Sequence, residues 1–134
     1  MNTALSISIS ILLALSACQS EQVFNIPEEN PDSPVSYQNQ IQPIFNTSCG
    51  GSGCHINNRR SGVNLTTYTQ TMNSTGSAYG RDIVIAGDAD TSPLADILGP
   101  DPSASRRMPL NASPLTAEEI SLIRSWINQG ALNN

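Results

Sequence analysis

The sequence contains no lysine, and its six basic residues, all arginine, stand against eleven acidic ones for a formal net charge of −5. That balance lacks the basic patch on which phosphate-backbone binding depends, so nucleic acid is not an expected partner. Aromatic residues make up only 4 % of the chain. A domain of this size buries only about two-thirds of its unfolded surface, and so few large rings leave an expected core that is thin. Strand signals are nearly absent apart from IVIA at residues 83–86, and no internal repeat is visible. With 134 residues there is room for one domain and not two. No apolar run reaches the ~20 residues needed to cross hydrocarbon. Cysteine and histidine are scarce too, at three and one, which makes their placement informative.

The chain begins MNTALSISISILLALSAC, an apolar run ending in small residues and a cysteine. This is the pattern of an export signal rather than of a helix in the folded protein. Leu15-Ser16-Ala17-Cys18 resembles the bacterial lipobox, which implies a lipoprotein signal peptide over residues 1–17, lipidation at Cys18 and membrane attachment through that lipid. An ordinary secretory signal or an uncleaved anchor are the alternatives. Gln19 stands where an aspartate would resemble an inner-membrane retention signal, so the expected location is the outer membrane of a bacterial envelope. That compartment is oxidising and permits disulfides. Once Cys18 is assigned to lipid, the remaining cysteines are two, an even number. Residues 18–34 are polar and acidic with three prolines, and read as a flexible lipid-anchored linker.

From residue 35 onward the periodicity is helical. Ser36 is placed to cap a helix through YQNQIQPIFNTS, with Ile41, Ile44 and Phe45 forming an apolar stripe and Pro43 kinking it. NLTTYTQTM reads as a short helix or turn that groups Leu65, Tyr68 and Met72, and GSAYGRD as a loop. Ser92 followed by Pro93 predicts a helix start, with Leu94, Ile97 and Leu98 inward and Gly99 as the stop. The last helix carries the strongest signal. Thr116 and Glu119 form a capping box, Ile120, Ile123, Trp126 and Ile127 form the stripe, and Gly130 terminates it. The expected class is a small all-α domain with long loops.

The chemistry concentrates in CGGSGCH, residues 49–55, which holds two of the three cysteines and the only histidine. Structural zinc needs about four ligands, more than Cys49, Cys54 and His55 provide. A Cys49–Cys54 disulfide is possible across a glycine-rich loop but leaves His55 without a role. Nucleophilic catalysis lacks an orienting partner for the adjacent histidine. Covalent haem attachment uses all three residues. Its usual spacing is C-x-x-C-H, and the longer spacing here requires a bulge that Gly50, Gly51 and Gly53 permit.

YQNQIQPIFNTSCGGSGCH, GVNLTTY, IVIAGDADTSPL, RRMPL and LTAEEISLIRSWINQGA follow one another in an order similar to that of small single-haem bacterial cytochrome c domains, over residues 35–132. The resemblance implies a cytochrome c-like fold over residues 35–134, with three or more short helices and loops wrapped around one haem c. It implies thioether bonds at Cys49 and Cys54, His55 as the proximal iron ligand and Met108, in front of the last helix, as the distal one. Met72 is the alternative distal ligand. Pro109 after Met108 favours an extended backbone that can present the sulfur. Arg106 and Arg107 are candidates for pairing with haem propionates, against a plain solvated role, and Trp126 is expected in the core against the haem. The implied function is single-electron transfer with redox partner proteins, not enzymatic turnover. A haem enzyme or sensor with a labile distal ligand, and a haem-free disulfide lipoprotein, are the competing readings.

Overall fold

The computed structural model describes residues 33–104 and 106–134. The expected signal peptide, Cys18 and the linker up to residue 32 lie outside the described residues. Ser36 opens the first helical segment, with its Oγ accepting the Asn39 N–H at 3.2 Å. Pro43 has no N–H to donate, and in an unbroken α-helix its ring would press on the carbonyl four residues back. The backbone widens ahead of it instead. Tyr37–Ile41 is a π-helical turn in which the Gln42 N–H reaches Tyr37 O, five residues back. Helix α1, Gln42–Ser48, then starts with Pro43 in its first turn. The expected kink is therefore a π-to-α junction. Ile41, Ile44 and Phe45 are buried as the stripe requires.

Three further α-helices follow: α2, Tyr68–Met72; α3, Pro93–Leu98; and α4, Ala117–Asn128. The capping box of α4 is formed reciprocally: Glu119 N–H donates to Thr116 Oγ1 at 3.2 Å and Thr116 N–H to Glu119 Oε2 at 2.8 Å. After α4 the chain turns at Gly130, whose φ of +97° is in the left-handed region. Ser92 holds the N-cap position of α3, but its hydroxyl does not cap. It is fully buried, accepts the Ile85 N–H at 2.8 Å and donates to Asp88 O at 2.8 Å, closing the loop between residues 85 and 92.

The regular structure is mostly helical, with one departure from the all-α expectation. GSAYGRD is no simple loop: Thr75–Gly76 (β1) and Arg81–Asp82 (β2) pair antiparallel, with Thr75 opposite Asp82 and Gly76 opposite Arg81. IVIA, the one strand signal, is not a strand. Ile83 donates its N–H to Ser74 O and accepts the Leu94 N–H, so its backbone joins the hairpin to the start of α3. Ile83 and Val84 are apolar because both are buried.

Tyr37, Phe45, Tyr68 and Trp126 gather in the core. Tyr37 packs edge-on to Phe45 and Tyr68, with ring centroids 6.3 and 5.1 Å apart, and tilted on Trp126 at 5.3 Å. Tyr37 Oη is satisfied in this setting by Gln42 Oε1 at 2.8 Å and Thr71 Oγ1 at 3.1 Å. Trp126 is fully buried and donates its indole N–H to Leu132 O at 2.9 Å. Helix α4 thus packs on the π-turn and on α3. The chain after it is held by Tyr68 Oη on Ala131 O and by Gln38 N–H on Asn134 O.

Candidate functional site

Helix α1 delivers Cys49 at its C-terminal end, where Cys49 N–H still donates to Phe45 O at 2.9 Å. The following loop is closed by Cys54 N–H on Gly51 O at 2.8 Å and His55 N–H on Cys49 O at 3.1 Å. The three glycines contribute differently. Gly53 alone has positive φ, at +70°. Gly50 allows a close approach, since a Cβ there would lie 2.6 Å from Asn46 O. Gly51 has neither need, its Cβ position meeting only Cys54 Sγ at 3.5 Å. Gly50→Ala should therefore lower stability by about 1–3 kcal/mol, the usual range for forced overpacking, while Gly51→Ala should leave the melting temperature nearly unchanged. Paired thermal melts check this contrast.

His55 is half-buried, and its Nδ1 lies 3.2 Å from Val63 O. A carbonyl oxygen only accepts, so in the neutral tautomer that makes this contact the proton sits on Nδ1 and Nε2 has a free lone pair. The His55 carbonyl is also fixed, accepting the Leu65 N–H at 2.7 Å.

Across from this loop, α3 turns Leu94, Ile97 and Leu98 toward a cleft whose empty volume is about 1020 Å³, its open mouth included. Cys49 and His55, close in sequence, and Met108, remote from both, all line it. The rest of the wall is mainly apolar, with Val63, Leu65, Ile83 and Pro93 among its residues. Met108 stands outside any helix and donates its N–H to Ile97 O at 2.9 Å. Met72 is half-buried against the core and is not among the cleft residues. Cys54 is half-buried at the end of its loop and also stands outside the wall. Both cysteines are free thiols. Burial first, then the neighbouring Cys54 and Glu119, push the Cys49 thiol up to about 12. It is protonated at neutral pH, the reverse of an activated nucleophile.

The two arginines of RRMPL separate. Arg106 is exposed and lines the cleft, whereas Arg107 spends its Nε–H on Leu98 O at 3.1 Å, at the end of α3. Trp126 lies in the aromatic cluster and is not a cleft residue. Several wall residues were not singled out in the sequence. Arg60 is brought in by the loop after His55, which closes through the Arg60 and Val63 bridge. Tyr79 comes from the turn between β1 and β2, and exposed Leu110 lies just beyond Met108. No local signal marks them, because loop closure brings them to the cleft.

Tyr79 Oη donates to Asp96 Oδ2 at 2.6 Å, and Ser103 N–H donates to the same oxygen at 2.9 Å. These hydrogen bonds, Tyr79's foremost, hold the Asp96 carboxyl below its ordinary range. Burial and the Asp96 acceptor push the Tyr79 phenol up to about 12. Among the described residues no helix is long and apolar enough to cross a membrane, and no three His, Cys, Asp or Glu side chains group to hold a metal by themselves. No protein-family model matches this chain, and no curated protein matches it.

Proposed function

We propose that this chain is a c-type cytochrome, a lipid-anchored carrier of single electrons in the bacterial envelope, with a cytochrome c-like domain over residues 35–134. The observation that carries the reading is the convergence of Cys49, His55 and Met108 on one apolar cleft. A haem suits this donor set. The cleft wall is mainly apolar and offers an imidazole nitrogen, a thioether and a thiol. Bound there, haem would supply one-electron redox chemistry.

The remaining work is done by the chain. His55 would hold the iron through Nε2, since an Nδ1–H bond to Val63 O orients the ring, an outer contact of the kind that raises ligand basicity. Cys49 and Cys54 provide the attachment thiols on either side of the glycine bulge. Met108 would be the second residue to hold the iron, in preference to Met72, because it shares the cleft with His55. Arg60 and Arg106 offer guanidinium groups to carboxylates at the mouth. The apolar wall would shield a bound haem from water, and His55 and Met108 would both be committed to holding it. Redox partner proteins are the expected partners, and nucleic acid is not.

Haem staining of the denatured full-length chain, produced in a host with a competent maturation system, tests the reading. A covalent stain with c-type absorbance is expected, and a chain that never stains overturns it. The proposed anchor is tested separately. Cys18→Ala should move the protein from the membrane fraction to the soluble one with its spectrum unchanged, because each buried lipid methylene contributes roughly 0.8 kcal/mol to membrane binding. Unchanged partitioning would point to the apolar segment before Cys18 as the anchor.

A further inference from the structure

Three separate parts of the cleft wall meet at one carboxylate oxygen. Asp96 lies on α3, and its Oδ2 accepts Tyr79 Oη from the turn between the strands and the Ser103 N–H from the segment leading to Met108. The far end of that segment is tied to the same helix by Met108 N–H on Ile97 O at 2.9 Å and Arg107 Nε–H on Leu98 O at 3.1 Å. The ties at Ile97 and Leu98 use backbone carbonyls at the end of α3, which substitution leaves in place. The tie at Asp96 depends on one side chain. Its oxygen takes two donors, so a single truncation removes both bonds.

We propose that Asp96 is a positioning residue: by accepting from Ser103 and Tyr79 on one oxygen, it holds the Met108 segment and the Tyr79 turn against α3 and so sets Met108 over the cleft. Its consequence for iron ligation rests on the electron-carrier reading above, whereas its consequence for the segment does not. Asp96 is not among the cleft residues and acts through Met108. The role belongs to the acceptor geometry: an amide oxygen at the same place serves, and a methyl group does not.

Full-length wild type, Asp96→Ala, Asp96→Asn and Tyr79→Phe are compared by amide hydrogen exchange and, on the haem-loaded protein, by the methionine-to-iron absorbance band and the midpoint potential. In Asp96→Ala the Met108 amide should exchange about tenfold faster or more, while the Ile123 amide in α4 keeps its rate. The band should weaken and the potential fall. Asp96→Asn should stay within about twofold of wild type in exchange rate and keep the band, and Tyr79→Phe, which loses one of the two donors, should fall between. Wild-type exchange at Met108 in Asp96→Ala overturns the proposal. So does an Asp96→Asn protein that behaves like Asp96→Ala, since charge and not acceptor geometry would then be responsible. If Asp96→Ala does not fold, an unchanged Met108 rate in Tyr79→Phe overturns it. A wild type without haem would sink the electron-carrier reading alone, because the exchange rates still decide whether Asp96 holds the segment.

Discussion

The Cys49→Ala, Cys54→Ala double variant is expected to show no haem stain after denaturation, whereas the wild type stains. A ligand held only by His55 and Met108 is lost when the fold that orients them unravels, while a thioether survives. The single variants should separate. Cys49 already lines the cleft and is fixed at the end of α1, its N–H bonded to Phe45 O. Cys54 stands outside the wall, on the short stretch that also carries His55. Cys49→Ala should therefore retain less covalent haem than Cys54→Ala, because it removes the thiol whose position needs least adjustment. Densitometry of stained gels, normalised to protein, reads this order. Equal staining of the wild type and the double variant would mean that the stain does not report thioether attachment, and the reading would lose its support.

How far the site was legible follows from how local each signal is. The capping box, stripe and Gly130 of α4 lie within about fifteen consecutive positions and interact with one another, so the pattern and the helix coincide. The same holds for Ser36 and for the clustering of Cys49 with His55. Residues whose roles depend on distant partners were not readable. Ser92 looks like a cap, yet its hydroxyl closes the preceding loop on Ile85 and Asp88. IVIA has strand composition but no strand to pair with, while Thr75–Gly76 and Arg81–Asp82, too short for any alternation to register, do pair. Gly50, Gly51 and Gly53 are one composition and three situations, separated only by where Asn46 O falls and by the φ of Gly53. Arg106 and Arg107 are neighbours in sequence and diverge because Leu98 O captures one of them.

The choice between Met108 and Met72 shows the same limit and leads to the sharpest remaining test. Sequence context favours Met108 without deciding, since both methionines follow the histidine. The cleft separates them: both methionines pack against the core, but only Met108 lines the cleft with His55. Met108→Ala should thus leave covalent attachment intact, abolish the methionine-to-iron band and lower the midpoint potential. A soft thioether stabilises ferrous iron more than ferric, so its loss favours the oxidised state. Axial ligands span roughly 0.8 V across proteins, and a fall on the order of 100 mV is the expected scale. The vacated distal position should admit small ligands such as cyanide or carbon monoxide and show weak peroxidase-like activity, because the Ala side chain cannot fill the coordination site. Met72→Ala should keep the band and the potential and, because Met72 is only half-buried, lose less stability than the ~2–5 kcal/mol that truncating a fully buried methionine costs. Loss of the band in Met72→Ala with retention in Met108→Ala would reverse the assignment. If neither variant alters band or potential, iron is not methionine-ligated, and an enzyme or sensor with an open distal face becomes the better account of the cleft.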